Sequence, residues 1–224
     1  ADVDGDGDLD LMSASAEDNV VAWYQNRGGV PLQWTPRVFT RTALGARHVY
    51  AADLDGDGDI DIVGASELDN TIAWFENVGT LDGFIEHPIT VAATGVHAVV
   101  TGDADQDGDV DIFAALESGA RIVWYENNGA ASPLFTEHTI ATNFQVAHSV
   151  ALADVDTDGD LDVIAASRSG GQVAWFENVG GQYNVAQVNA EVSNSALQVM
   201  ASLAFAHRGR SGDPAMRLSA LTLR

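Results

Sequence analysis

The sequence predicts an all-β protein, a β-propeller with about four blades of four strands each. A nine-residue acidic segment, D-x-D-x-D-G-D-x-D, begins at Asp2, Asp53, Asp103 and Asp154, so the chain repeats every 50 or 51 residues. A period of this length indicates a propeller, a solenoid or an array. Within each repeat, four short runs rich in β-branched and aromatic residues alternate with turn residues, which predicts one four-stranded blade per repeat.

The second repeat shows the predicted order of the strands. Residues 60–66 begin at the last two residues of the acidic segment and are predicted as the first strand, and residues 71–77 and 84–89 follow as the next two. Residues 97–102 form a fourth run that leads into the next acidic segment. Residues 161–166 are apolar on both faces, which is typical of a strand that lies between neighbouring sheets.

The two ends of the chain differ from the internal repeats. Only Ala1 precedes the first acidic segment, so the first blade lacks its innermost strand, and residues 197–205 are a candidate strand to complete it. Either one chain closes the ring, or a homo-oligomer or a larger propeller completes it. An Arg-rich tail at 206–224 breaks the acidic pattern. The predicted propeller is 1–205, with repeats near 1–46, 47–96, 97–146 and 147–205.

The acidic segments predict Ca²⁺ sites. Ca²⁺ takes about six to eight oxygen ligands, and alternate residues of a curled loop present their oxygens to one point. The first, third, fifth and ninth positions supply carboxylates, the seventh supplies its main-chain carbonyl, and the glycine at the sixth lets the loop turn. An EF-hand is excluded, because the twelfth position is never Glu. We expect about four Ca²⁺ ions, and the candidate ligands are Asp2, Asp4, Asp6, Asp8, Asp10, Asp53, Asp55, Asp57, Asp59, Asp61, Asp103, Asp105, Asp107, Asp109, Asp111, Asp154, Asp156, Asp158, Asp160 and Asp162.

Net charge narrows the range of partners. The chain carries −23, and 20 of its 33 acidic residues lie in the four segments. Nothing resembles the basic patch that a nucleic-acid partner requires, and no apolar run is long enough for membrane insertion. A protein with four such loops suits the millimolar Ca²⁺ found outside cells, which favours a secreted or cell-surface location.

The acidic segments and the strand signatures at 21–26, 72–77, 122–127 and 173–178 resemble the FG-GAP/VCBS repeat family of calcium-binding β-propellers, also seen in integrin α heads and some lectins. The resemblance covers about residues 1–190. It implies an extracellular module that recognises carbohydrate or protein. A structural spacer and a metal-dependent hydrolase of phosphoesters or other activated esters remain as alternatives.

Three residues are candidates for an axial or catalytic site. Arg47, His97 and His148 each lie six residues before an acidic segment, so equivalent innermost strands should bring them towards the propeller axis. There they could form a site for an anion or a transition metal. Alternatively, they are ordinary residues at the start of a strand that hydrogen-bond to the neighbouring backbone. A hydrolase would use them with a metal as Lewis acid.

The remaining recurrent residues are expected to have structural roles. His87 and His138 recur on the outer strand and are expected at the surface. A large aromatic at one fixed point of each repeat usually fills the space between blades. Trp34, outside that register, is expected in the core as well. The four recurrent tryptophans are Trp23, Trp74, Trp124 and Trp175.

Overall fold

The computed structural model describes residues 1–80, 83–169 and 171–186, and within them all fifteen elements are β-strands. The strands are β1 (Leu11–Ser15), β2 (Val20–Asn26), β3 (Trp34–Thr40), β4 (Ala46–Ala52), β5 (Asp61–Ser66), β6 (Thr71–Asn77), β7 (Phe84–Thr90), β8 (Val96–Gly102), β9 (Asp111–Leu116), β10 (Arg121–Asn127), β11 (Phe135–Thr142), β12 (Ala147–Ala153), β13 (Asp162–Ser167), β14 (Val173–Asn178) and β15 (Tyr183–Ala186). This part of the chain contains no helix that could cross a bilayer.

The strands form four antiparallel sheets, each built from strands that are consecutive in sequence. The first sheet has the order β1-β2-β3, and the other three have four strands each, beginning at β4, β8 and β12. These three strands lie side by side at the centre, because β8 contacts both β4 and β12. The predicted all-β, propeller-like fold of about four blades is therefore confirmed.

The described sheets do not form a closed ring. β1 is the inner edge of a three-stranded sheet, as the sequence predicts for a first blade without its innermost strand. The strand proposed to complete it, at 197–205, and the tail at 206–224 lie outside the described residues. Ring closure by one chain and the domain boundary at 205 therefore stay predictions.

The core consists of three apolar layers, one between each pair of adjacent blades. The recurrent tryptophans of β2, β6, β10 and β14 are buried, as predicted. Trp34 is different: it is 39% exposed, so its predicted place in the core is wrong. It begins β3, an outer strand with solvent on one side, and no further blade covers it among the described residues.

A buried aspartate closes each acidic loop onto its own sheet. Asp61, the ninth loop residue, accepts hydrogen bonds from the Leu54 amide at 2.9 Å and the Asn77 amide at 2.7 Å. The loop is thereby fixed to the end of β6. The same pair of bonds recurs at Asp10, Asp111 and Asp162.

The asparagine that ends the third strand of a blade joins that blade to the previous one. Asn127 Nδ2 donates to the Leu54 carbonyl of the preceding blade's loop at 2.8 Å, and Asn77 and Asn178 make the equivalent bonds to Val3 and Ala104. All three bonds are buried, so each fixes an acidic loop against the adjacent blade. Each of these amides also donates to the residue before the ninth aspartate of its own loop.

We predict that Asn127→Ala lowers the free energy of unfolding more than Asn26→Ala does. Both side chains bond within their own blade, but the described residues give only Asn127 a buried bond to a preceding blade. The difference should be about 1–3 kcal/mol, the usual cost of an unsatisfied buried acceptor. Urea unfolding with Ca²⁺ present measures it, and equal losses for the two variants would contradict the role of the inter-blade bond.

Candidate metal centres

Each acidic loop curls through two left-handed residues. The fourth position has φ between 63° and 73°, and the glycine at the sixth has φ between 94° and 100°. The latter value suits glycine, as predicted, because a Cβ is strained in that conformation. The turn brings alternate side chains to the inside of the loop.

Main-chain amides orient the loop carboxylates. In the second loop, the Gly58 amide donates to Asp53 at 3.0 Å, and the Asp59 amide donates to Asp57 at 2.9 Å. The other three loops repeat both bonds. The carboxylates are therefore held in place by the backbone of their own loop.

Three carboxylates converge in every loop, with one oxygen of each within 4.8 Å of the others. In the first two loops these are the first, third and fifth positions, and in the last two the ninth replaces the fifth. The four groups are Asp2, Asp4 and Asp6; Asp53, Asp55 and Asp57; Asp103, Asp105 and Asp111; and Asp154, Asp156 and Asp162.

Three buried carboxylate oxygens in these groups lack a hydrogen-bond partner among the described residues, namely one Oδ1 each of Asp2, Asp4 and Asp103. A buried anionic oxygen without a partner is costly, and a hard cation would satisfy it. Burial also raises the pKa of the third-position aspartates, and the charges of neighbouring loop aspartates raise it further. The all-oxygen donor set therefore fits Ca²⁺.

The ninth-position aspartates are the most deeply buried members. Burial raises the pKa of Asp61 to about 6 and that of Asp111 to about 7, although backbone amides donate to both carboxylates. A nearby cation would favour their charged forms. Through their bonds to main-chain amides, these residues connect the acidic loops to the folded sheets.

The seventh-position side chains lie outside the four groups. Asp160 Oδ2 accepts a hydrogen bond from the Gly180 amide at 3.2 Å, in the turn after β14. A Cβ on Gly79 would lie 3.0 Å from Asp59 Oδ2, so this carboxylate also lies against the turn that follows the third strand. The contribution predicted for this position is its main-chain carbonyl, and that stays a prediction.

Two of the three axial candidates meet. The ring centroids of His97 and His148 are 3.7 Å apart, and His97 Nδ1 lies 3.0 Å from the main-chain oxygen of His148. Arg47 forms an ion pair with Glu67 instead. His48 lies close by: burial and then the charge of His97 lower its pKa, and its Nδ1 has no partner among the described residues.

Sequence reasoning missed Glu117, which completes this axial cluster. Its Oε2 lies 3.3 Å from His148 Nδ1, and its Oε1 lies 2.9 Å from Arg168 Nη2. The available signal was its repetition, because Glu67 and Glu117 each follow directly after the second strand of their blades. Only the fold shows that Glu117 reaches the next blade.

The outer-strand histidines cover the buried tryptophans. His87 stacks on Trp74 with ring centroids 4.7 Å apart and bonds Glu76 at 2.7 Å, and His138 stacks on Trp124 in the same way. Both histidines are half-buried rather than fully at the surface. Each contacts one glutamate and no second histidine in the contacts of the described chain.

A cleft of about 120 Å³ lies between the first and second blades, beside the first acidic loop. Its polar lining includes Asp4, Asp59, Asn77 and Thr80, and its apolar lining includes Phe84. This combination of carboxylate, amide, hydroxyl and aromatic groups suits a small polar ligand with apolar patches.

Comparison with known proteins agrees with this architecture. A family model described as an FG-GAP-like repeat matches residues 2–64, 53–114 and 103–165. A solved structure of an Agrocybe aegerita lectin, described as specifically recognising non-reducing terminal N-acetylglucosamine, is 21% identical with a TM-score of 0.58. The similarity covers 84% of this chain and 50% of that one, so the chain spans half of its length, and it supports the fold alone. No curated protein matches the chain.

We predict that Asp55→Asn weakens Ca²⁺ binding at one loop by at least about tenfold, because it removes one charge from the converging group. Asp59→Asn is the matched control, since its side chain lies outside that group. Calorimetric titration with Ca²⁺ measures the number and affinity of the sites. An equal loss in the two variants would contradict the ligand assignment.

Removal of Ca²⁺ should destabilise the whole chain. At a hundredfold excess over Kd, a site that exists only in the folded state adds about 2.7 kcal/mol, which raises the thermal midpoint of a domain of this size by about 5–10 °C. We expect chelation to reverse this increment at each occupied loop. Thermal unfolding with Ca²⁺ and with chelator, followed by circular dichroism, measures the change, and identical midpoints would refute the calcium sites.

Proposed function

This chain belongs to the FG-GAP-like repeat family, and from that premise we propose that it is an extracellular, calcium-binding β-propeller module that recognises carbohydrate. About four Ca²⁺ ions would order the loops. The extracellular location rests on the concentration argument, because calcium loops of this number suit the millimolar Ca²⁺ found outside cells.

The cleft between the first two blades carries the proposal. Sugars present hydroxyl groups that bond to carboxylates and amides, and apolar C–H faces that pack on aromatic rings. Asp59 and Thr80 offer the polar partners, and Phe84 offers the ring. The similarity to a lectin of the same fold favours a carbohydrate over other small polar ligands.

The position of the cleft links binding to calcium. Asp4 lines the cleft and also belongs to the converging group of the first loop. Asn77 lines it too, and its Nδ2 donates to the Val3 carbonyl of that loop at 2.9 Å. A sugar bound there would therefore contact residues whose positions depend on the ordered loop.

We predict saturable, calcium-dependent binding on a glycan array, with glycans that end in N-acetylglucosamine as the first class to test. Phe84→Leu should weaken binding by about three- to tenfold, since it removes an aromatic contact and keeps an apolar side chain. Phe135→Leu is the matched control, because Phe135 holds the same place in the third blade and does not line this cleft.

The array also separates the alternatives. An array without selective binding would contradict carbohydrate recognition and leave a protein ligand, a structural spacer or a hydrolase. Equal loss in the Phe84 and Phe135 variants would show that the cleft is not the binding site.

A further inference from the structure

The axial cluster joins the third and fourth blades. His97 is the second residue of the innermost strand of the third blade, Glu117 follows that blade's second strand, and His148 is the second residue of the innermost strand of the fourth. One ligand atom of each residue lies within 4.8 Å of the others. Two imidazoles and a carboxylate are therefore brought together by the docking of two blades.

β-bulges turn both histidines out of the regular ladder. In β8, Val96 pairs with Leu116 and Ala98 pairs with Ala115, so His97 is the extra residue. In β12, His148 is the extra residue in the same way, between Ala147 and Ser149. A bulge re-aims a side chain that would otherwise alternate with its neighbours, and bulges are frequent next to functional sites.

Hydrogen bonding prepares His97 as a ligand. A main-chain carbonyl only accepts, so His97 Nδ1 must donate to the His148 oxygen at 3.0 Å. In the neutral ring this leaves the lone pair on Nε2. Histidine ligands usually donate their other ring nitrogen to a carbonyl or carboxylate in this manner, which fixes the ring and its tautomer.

The spacing of His148 and Glu117 also suits a metal. A tetrahedral ion with bonds of about 2.0–2.1 Å has ligand atoms about 3.3–3.4 Å apart. His148 Nδ1 lies 3.3 Å from Glu117 Oε2. The two atoms can therefore share one ion without a large movement of either side chain.

Ligand chemistry separates this cluster from the acidic loops. The loops offer oxygen alone, which suits Ca²⁺, whereas imidazole nitrogen suits Zn²⁺ and other transition metals. The cluster is also accessible, since the side chain of His148 is 37% exposed. Three protein ligands and access to solvent leave a fourth position open for water or a ligand atom.

We propose that His97, Glu117 and His148 bind one divalent transition-metal ion, such as Zn²⁺, at the junction of the third and fourth blades. The site is independent of the acidic loops and of carbohydrate binding. Arg168 opposes it, because its guanidinium holds Glu117 Oε1 at 2.9 Å. Arg47 is engaged by Glu67 and does not compete for Glu117.

The test is a calorimetric titration of the full chain with Zn²⁺ while saturating Ca²⁺ keeps the loops filled. We expect one Zn²⁺ per chain. His97→Ala and His148→Ala should each weaken binding by at least about 100-fold, since loss of an outer-shell partner alone costs 10- to 100-fold. His87→Ala is the matched control, because His87 also pairs with a glutamate but contacts no second histidine among the described residues.

A second variant should strengthen Zn²⁺ binding rather than weaken it, and its result does not depend on whether the histidine variants fold. Arg168→Ala removes an ion pair whose guanidinium is mostly exposed, worth about 0.2–1 kcal/mol, and should tighten Zn²⁺ binding by about 1.5- to fivefold. Zn²⁺ binding that survives His97→Ala, or that falls equally in His87→Ala, would overturn the site. So would an Arg168→Ala variant that binds Zn²⁺ more weakly than the parent chain.

Discussion

The structure depends on one buried carboxylate per blade, at the ninth position of each acidic loop. Burial of a carboxylate costs several kcal/mol unless hydrogen bonds and opposite charge offset it. Two main-chain amides donate to Asp61, yet burial still raises its pKa to about 6. The amides alone therefore do not offset the burial of the charge. A cation in the adjacent loop would supply the missing positive charge.

The inter-blade asparagines extend this dependence around the propeller. The main-chain amide of each asparagine donates to the buried aspartate of its own blade, and its side-chain amide donates to the loop of the preceding blade. A change at one loop therefore affects two blades. Asn26 makes no such bond to an earlier blade within the described residues, which matches the three-stranded sheet at that end. Docking between blades thus uses the same residues that order the loops.

The chain combines two kinds of polar site on a single scaffold. The loops present carboxylates held by their own backbone, and the axial cluster presents imidazoles turned out of the ladder by bulges. The first arrangement is local in sequence, while the second exists only where two blades meet. The cleft beside the first loop combines the two arrangements. Asp4 comes from a single loop, whereas Phe84 comes from the neighbouring blade.

The sequence by itself determined what is local. Repeat length, strand order, the curled acidic loops and the buried tryptophans all follow from residue types at fixed spacing. The carboxylate groups were predictable for the same reason, since their members lie within nine residues of one another. The tertiary structure decided the rest. It leaves Trp34 exposed and brings Glu117 to His148 across a blade boundary. It also places the side chains of the strand-ending asparagines in contact with the preceding blade. These features depend on how the sheets pack and where a strand bulges. The spacing of residues within one repeat does not encode the distance between two repeats.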